Sequence, residues 1–334
     1  MLLNDKNNFK EFCENAKQHK KIQKQAIAFA NSIFDGFISD YEKCCDYGEI
    51  TIPNLMEVCI QTIDSMSNIT YAPAIYAEGI SLLLQYLVSN NAIEKCVVTD
   101  IVDNINWKQI VLEASVRNTY FANLDQCIDF IKGIVNSINN MENDALSIIA
   151  LCILFWYFPT KEREHISAML KTDCSDTSGT IVCDGVKVKL SIKHYQYIKA
   201  FKALEHYQGL TINSRKFSFH MMPSEYLFRG NKRTCFTEKN LTEGISRFNL
   251  DIANEFGDKL LIIKGIKNSS IYHMLYENEL KEGRIAPQNF SKRAKETLTE
   301  QGINLTPAKL CRMKDGYFVW RNMYANDLKQ EFAK

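Results

Sequence analysis

The sequence has no apolar segment long enough to cross a membrane. Its longest such segment, residues 145–158, contains 14 residues, of which only Ser147 is polar, whereas a transmembrane helix needs about 20. The N-terminal sequence MLLNDKNNFKEF becomes polar and charged at once, so we expect no signal peptide. We therefore expect a protein without a membrane among its partners.

Cysteine motifs typical of metal sites are also missing. The chain has 11 cysteines and 6 histidines, but it has no Cys-x-x-Cys pair and no grouping of the two residue types at zinc-ligand spacing. We therefore expect no metal ion, and nothing indicates another cofactor. Cys59, Cys127 and Cys152 occur within apolar patterns, which predicts small buried side chains in a reducing compartment, the cytoplasm.

The net charge is close to zero for the whole chain but not for its two halves. Residues 151–334 hold 29 basic and 20 acidic residues, a net charge of +9, and residues 1–150 carry a net charge of −8. A basic C-terminal half favours an anionic partner, with nucleic acid first. Two solvated surfaces that merely differ in charge are the alternative explanation.

The N-terminal part of the chain shows the apolar periodicity of helices. Residues 6–47 carry apolar side chains at helical spacing, and residues 74–88 have a broad apolar stripe. This pattern predicts a helical domain over residues 1–115. The segment Arg117–Phe121 is interpreted as a linker into a second domain, residues 116–334.

Residues 144–173 form the segment around which we expect the second domain to be organised. The apolar run 145–158 predicts a helix that is buried on all sides. Pro159 ends this helix, and Thr160 is suited to cap a second one. The second helix is predicted to be amphipathic, since apolar residues recur at i, i+3 and i+4: Ile166, Met169 and Leu170.

A lysine-rich β-hairpin follows this segment. Two short strands, Thr180–Cys183 and Val186–Leu190, flank Asp184-Gly185, which is a type I′ turn signal. Lys187 and Lys189 alternate with apolar residues, so both are predicted to point to the same face. A lysine hairpin of this kind is a candidate for DNA contact, and solvated strand charges are the alternative.

The densest basic cluster comes after a further helix and a segment, residues 217–228, that is interpreted as a loop. Its four cations are Arg229, Lys232, Arg233 and Lys239. Phosphate contacts by such residues would be independent of DNA sequence and sensitive to salt. The rest of the chain is predicted to be mostly helical, so the fold class is mainly α with a small antiparallel β-hairpin or sheet.

The order of these elements resembles that of the tyrosine recombinase, or phage integrase, superfamily. Four segments carry the resemblance: TYAPAIYAEGISLLLQYLV, LFWYFPTKEREHISAMLKTD, DGVKVKL and SEYLFRGNKRTCFTEKNL. They are similar to a core-binding helix, the first catalytic box, the hairpin that carries the catalytic lysine, and the loop before the second box. The resemblance covers residues 70–334 loosely. It implies a helical core-binding domain and a catalytic-like domain that close around duplex DNA.

The catalytic positions of that family are largely displaced in this sequence. Glu162 stands where the first arginine belongs, and Arg163 follows one position later. In the second box, Ser269 and Tyr272 replace the histidine and the arginine, and His273 is the nearest histidine. In the family, two arginines hold the phosphate that a tyrosine attacks, so this departure puts the reaction in doubt.

The resemblance also supplies candidates for the remaining catalytic roles. Tyr317 and Tyr324 are candidate nucleophiles, and Tyr317 is preferred because it lies just before Trp320-Arg321. Lys187 is the candidate acid for the leaving oxygen. For both tyrosines, ordinary packing is the alternative role.

Three functional hypotheses follow from the sequence. The first is a protein that binds double-stranded DNA, encoded by a phage, plasmid or other mobile element, with a divergent tyrosine-recombinase fold and a role in recombination, integration or transfer. Such a protein would assemble as a homo-oligomer on DNA. The second is an active strand-cutting and rejoining enzyme, either a site-specific recombinase or a relaxase-like protein. The third is a helical adaptor that does not bind DNA.

Overall fold

A computed structural model of the chain describes residues 6–20, 22–44, 59–63, 73–91, 93, 95, 106–137, 142–210, 216–230, 232, 234–253 and 259–332. Over these ranges the protein is mainly helical with a small antiparallel sheet, which confirms the predicted fold class at that level. Contacts among its residues divide the chain into two compact units, Met1–Asn118 and Thr119–Lys334.

The described part of the first unit consists of helices around an aromatic core. The helices are α1 (Lys6–Lys20), α2 (Lys24–Cys44), α3 (Pro73–Ser89) and α4 (Trp107–Thr119), and residues 59–63 are also helical. Phe9 stacks on Phe34 with ring centroids 4.4 Å apart, and Tyr86 packs edge-on against Phe9. Gly79 allows α3 to approach α2 closely, because a Cβ at this position would lie 2.8 Å from the carbonyl oxygen of Ala26.

The helical character predicted for residues 6–47 is confirmed by α1 and α2, between which Ile22 and Gln23 are not helical. The linker expected from Arg117 onward is partly helix, because α4 continues to Thr119. The division between the two units accordingly lies three residues after the boundary expected at residue 115.

The second unit contains eight α-helices, a short 3-10 helix (Lys171–Asp173) and five strands within the described ranges. The helices are α5 (Leu124–Ser137), α6 (Glu142–Tyr157), α7 (Arg163–Ser167), α8 (Ile192–Lys202), α9 (Glu238–Ala253), α10 (Ile263–Glu282), α11 (Phe290–Glu300) and α12 (Pro307–Phe332). The strands are β1 (Cys174–Ser175), β2 (Thr180–Cys183), β3 (Val186–Lys189), β4 (His206–Leu210) and β5 (Lys216–His220). The first three form one antiparallel sheet in the order β1-β2-β3, and the last two form a separate hairpin.

Helix α6 is the centre of this unit, as its apolar sequence predicts. Its side chains are buried around the whole circumference, and α5, α8 and α10 pack against it. Ser270 on α10 fixes one of these contacts, because its hydroxyl donates to the Trp156 carbonyl oxygen over 2.6 Å. Cys127 and Cys152 lie in this core, which confirms the prediction that they are small buried residues.

The amphipathic helix predicted after Pro159 is much shorter than expected. Helix α7 has 5 residues, and Glu162, not Thr160, stands at its N-cap without a side-chain cap. The backbone beyond α7 forms hydrogen bonds with residues 225–227. Lys171 N–H donates to the Glu225 carbonyl oxygen over 2.7 Å, and Leu227 N–H donates to the Met169 carbonyl oxygen over 2.8 Å. This distant segment satisfies the backbone groups that a longer helix would have used.

The predicted lysine hairpin is present. Strands β2 and β3 are antiparallel, with Cys183 opposite Val186. Asp184 and Gly185 both have positive φ, 46° and 74°, as a type I′ turn requires. Lys187 and Lys189 are both exposed, and they lie on the face of the sheet away from the buried Ile181.

The loop predicted over residues 217–228 is partly wrong. Strand β5 extends to His220 and pairs with β4, so that Tyr207 stacks on Phe219 with ring centroids 5.1 Å apart. From Met221 onward the segment is irregular and lies against the core through Leu227 and Phe228.

Candidate nucleic-acid interface

A groove with four cations lies where α7 and the starts of α10 and α12 meet. It has a volume of about 470 Å³ and is lined by Pro159, Glu162, Arg163, Glu238, Ile263, Lys264, Lys267, Asn268, Ile271 and Lys309. Four basic residues against two carboxylates leave a local charge of +2. Three of the cations, Arg163, Lys264 and Lys309, are exposed. We call this feature the cationic groove.

Two of the four cations are closely spaced lysines on one helix. Lys264 and Lys267 are three residues apart on α10, so they project from the same face. Gly265 and Ile266 between them are buried and anchor this turn in the core. The N-cap of α10, Ile262, offers no side-chain acceptor, so the positive end of the helix dipole adds to the lysine charges.

Lys267 is the most buried of the four cations, and its pKa responds to the other charges of the groove. Burial lowers the pKa of its ammonium group. Among the neighbouring charges, Glu162 raises that pKa, whereas Lys309 and Arg163 lower it. The cations thus repel each other at this position, and an anion bound between them would relieve the repulsion.

The lysine hairpin is connected to the groove through Lys161. The Lys161 Nζ atom lies 2.6 Å from Asp184 Oδ2 in the hairpin turn. The carbonyl oxygen of Lys161 accepts a hydrogen bond from Lys267 Nζ over 2.5 Å. Lys187 and Lys189 follow the turn and are exposed without an ion pair to any described residue. The hairpin and the groove therefore form adjacent parts of one unit.

The structure does not give Tyr317 the exposure that a nucleophile needs. Its side chain is fully buried, and its hydroxyl donates to Glu279 Oε2 over 2.6 Å. Burial and the Glu279 carboxylate raise the pKa of Tyr317 well above its ordinary value. Arg321 completes this network, with Nη1 at 3.0 and 3.1 Å from the two Glu279 oxygens. Tyr317 thus donates a hydrogen bond to one member of a buried ion pair.

Tyr324 is also packed inside the unit. It is 7% exposed, its hydroxyl donates to the Tyr120 carbonyl oxygen over 3.1 Å, and its ring packs edge-on against Trp320. In this conformation neither candidate nucleophile is open to a DNA phosphate. The assignment of a catalytic tyrosine remains a prediction that burial disfavours.

The other candidate catalytic residues are not brought together. Arg163 lines the cationic groove, and Lys187 lies on the adjacent hairpin. His273 lies on α10 with its ring 5.8 Å from that of Trp156, and it does not line the groove.

The members of the basic cluster predicted from Arg229 to Lys239 differ in exposure and in their partners. Arg229 is 4% exposed, because its guanidinium group donates to the Leu204 and Leu227 carbonyl oxygens. Lys232 is exposed, whereas Lys239 pairs with Glu243 one helical turn away, at 3.7 Å. Arg233 lies outside the described residues. Burial therefore disfavours a contact between Arg229 and a DNA phosphate, and the DNA-binding role of the cluster stays a prediction.

A hydrogen-bonded tyrosine, histidine and aspartate chain lies elsewhere in the same unit. Tyr157 Oη lies 2.9 Å from His194 Nδ1, and His194 Nε2 lies 3.0 Å from Asp125 Oδ1. The Tyr157 oxygen also accepts from the Ser191 N–H over 3.4 Å. Each of the three side chains comes from a different helix. We therefore infer that this hydrogen-bond network holds α5, α6 and α8 together.

Sequence reasoning missed Lys264, Lys267 and Lys309 as functional candidates. The i, i+3 spacing of the two α10 lysines could have predicted that they share a helix face. The two residues, however, precede the segment matched to the second catalytic box. Lys309 comes from a distant part of the chain, and only the fold brings it to Arg163.

The chain matches no known protein-family model, and no curated protein resembles it significantly. The resemblance to tyrosine recombinases thus stays a prediction from the four segments that carry it. No helix in the described ranges has the length and apolar content required to cross a bilayer.

Proposed function

We propose that the second unit binds the phosphate backbone of double-stranded DNA through the cationic groove and the adjacent lysine hairpin. The observation that carries this proposal is the convergence of Arg163, Lys264, Lys267 and Lys309 on one groove with only two opposing carboxylates. Phosphate contacts by Lys and Arg supply most of the affinity of non-specific DNA binding. The whole second unit also carries an excess of positive charge, with 30 basic and 24 acidic residues.

The hairpin extends the proposed contact surface. Lys187 and Lys189 are exposed on one face, and Asp184 in the turn is bound by Lys161 at the side of the groove. The groove alone would hold one phosphate or two, whereas groove and hairpin together suit a longer polyanion. The resemblance to tyrosine recombinases supports duplex DNA as that polyanion, on a divergent fold of a mobile element.

The proposal is for DNA binding without strand cutting. Strand cutting through a phosphotyrosine needs a hydroxyl that can reach the phosphate and lose its proton. Tyr317 is fully buried with a raised pKa, and the Tyr324 hydroxyl donates a hydrogen bond to a backbone carbonyl oxygen. Both features favour the binding protein over the enzyme.

Charge-matched variants test the proposal directly. Fluorescence anisotropy with a labelled duplex would compare the wild type with Lys264→Gln/Lys309→Gln, which removes two exposed groove cations. The control is Lys292→Gln/Lys295→Gln, which removes two exposed cations from α11 outside the groove. We expect the groove variant to bind at least about tenfold more weakly and the control to bind like the wild type. Equal loss in both variants would show that only overall charge matters and would contradict the assignment to the groove.

Covalent trapping separates binding from catalysis. The protein, Tyr317→Phe and Tyr324→Phe would be incubated with nicked duplex fragments and run on a denaturing gel. We expect no covalent adduct from any of the three. An adduct that disappears in one of the two variants would identify a nucleophile and replace the binding function with the enzymatic one.

A further inference from the structure

A second pocket in the same unit has walls that are more apolar than those of the cationic groove. It has a volume of about 340 Å³ and lies between α6, α9, the β4–β5 hairpin and the irregular segment that follows β5. Its walls are largely aromatic and aliphatic, with Leu151, Phe201, Phe219 and Phe228 among them. This size lies near the lower limit of small-molecule pockets, about 300–1,000 Å³, and it is too small for a duplex.

A buried arginine without a carboxylate partner lines this pocket. Arg229 is 4% exposed, and its guanidinium group donates to two neutral acceptors, the carbonyl oxygens of Leu204 at 2.6 Å and Leu227 at 3.4 Å. Within the described ranges, Arg229 forms no ion pair, although Glu205 lies near enough to raise its pKa against the lowering caused by burial. Buried charges in proteins are normally paired, so this guanidinium is suited to an anion from outside the chain.

Two further cations stand at the same pocket, and no described carboxylate does. Lys232 and Arg247 line it and are exposed. The cationic groove, in contrast, contains Glu162 and Glu238. An apolar interior next to three cations is complementary to a molecule with an apolar body and one anionic group.

We propose that this pocket binds a small amphipathic anion, with an aliphatic or aromatic body among the phenylalanine side chains and a carboxylate or phosphate group on Arg229, Lys232 and Arg247. Burial of the body supplies the affinity. The charge-assisted hydrogen bonds to the head group select an anion over a neutral molecule of the same shape. The proposal does not depend on DNA binding, because none of these three cations lines the groove.

Binding measurements with matched probes test this proposal on the full chain. Isothermal titration calorimetry would compare decanoate, decyl phosphate and decanol, the two anions below their micelle-forming concentrations and decanol below its solubility limit. We expect decanoate or decyl phosphate to bind at least about tenfold more tightly than decanol, because a hydrogen bond to a charged group is lost with the neutral head. The preferred head group distinguishes carboxylate from phosphate ligands. Equal binding of all three probes, or binding of none, would overturn the proposal.

A cavity-filling variant locates the site without disturbing a charge. Gly244 lines the pocket on α9, and a Cβ at this position would meet only Ile148 Cδ1, at 3.9 Å. Gly244→Leu should therefore fold and occupy the space of the ligand. The matched control is Gly133→Leu on α5, where an added Cβ meets no atom within 4 Å. We expect the first variant to lose binding by at least about tenfold and the control to keep it.

Charge variants complete the test. Arg229→Gln removes the buried cation but also two hydrogen bonds to the backbone, so its folding must be checked. Lys232→Gln/Arg247→Gln changes only exposed side chains and should weaken decanoate binding several-fold while decanol binding stays the same. A folded Gly244→Leu protein that binds decanoate like the wild type would show that the ligand lies elsewhere.

Discussion

Replacing Tyr317 with phenylalanine tests whether this residue stabilises a buried ion pair. The change removes one hydroxyl and keeps the ring. The hydroxyl donates to Glu279 over 2.6 Å, and the side chains of Glu279 and Arg321 are 7% and 9% exposed. A hydrogen bond to a charged group contributes about 1.5–3 kcal/mol. Because Glu279 keeps two contacts from Arg321, we expect the free energy of unfolding to fall by about 1.5–2 kcal/mol.

Two comparison variants set the scale for this loss. Arg321→Met leaves the Glu279 carboxylate buried without a cation, which costs about 3–5 kcal/mol. Tyr197→Phe is the control, since Tyr197 is half-buried and its hydroxyl forms no hydrogen bond with the described residues; its effect should stay within about 0.5 kcal/mol. Urea unfolding followed by tryptophan fluorescence measures all three.

The pH dependence gives the same prediction an independent check. The folded pKa of Tyr317 is raised above the unfolded value of about 10. Its contribution to stability is therefore fully present below about pH 10 and is lost as the pH rises further. Tyr317→Phe should lose less stability than the wild type in that alkaline range. If Tyr317→Phe were as stable as the Tyr197→Phe control at neutral pH, the role assigned to the network would be wrong.

Further predictions concern two glycines and a buried lysine. Gly133→Ala on α5, where the added Cβ enters open space, should raise the free energy of unfolding by about 0.5–1 kcal/mol. Gly265→Ala on α10 should lower it by about 1–3 kcal/mol, because the added Cβ would collide with the Thr119 carbonyl oxygen; urea unfolding measures both. Burial lowers the pKa of Lys259 to about 8, so the unfolded chain holds this proton more tightly. Lys259→Met should therefore be more stable than the wild type near pH 7, and the difference should shrink as the pH rises from about 8 to about 10, as thermal unfolding would show.

Local sequence signals were sufficient where the structure depends on neighbouring residues. The β2–β3 hairpin follows from Asp184-Gly185, whose positive φ angles few other pairs adopt readily. Helix α6 follows from an apolar run that no exposed helix could carry. Both depend on interactions within a short stretch of chain.

The sequence was insufficient where distant backbone segments compete. Helix α7 stops early because Met169 and Lys171 pair with the segment from Glu225 to Leu227, more than 50 residues away. The sequence predicts that Arg229 is a surface cation like Lys232, yet its position in the same segment leaves its side chain buried. No local periodicity signals either outcome, since each is decided by tertiary packing.

The cationic groove was only partly accessible from the sequence. Arg163 was a candidate because it lies one position after the place of the first catalytic arginine in the recombinase resemblance, whereas Lys264 and Lys267 lay outside the segments matched to that family. Lys309 lies more than 140 residues from Arg163, and only the packing of α12 brings the two to one groove.

The salt dependence of duplex binding is the most direct test of the proposed function. Six cations in the groove and on the hairpin predict a slope of about −5 for the logarithm of the association constant against the logarithm of salt concentration, at about 0.9 per phosphate contact. Lys264→Gln/Lys309→Gln should reduce the magnitude of this slope by about 2, and Lys292→Gln/Lys295→Gln should leave it unchanged. A wild-type protein that does not bind duplex DNA at low salt, or a slope that the groove variant does not alter, would contradict the assignment of the groove as a DNA-binding site.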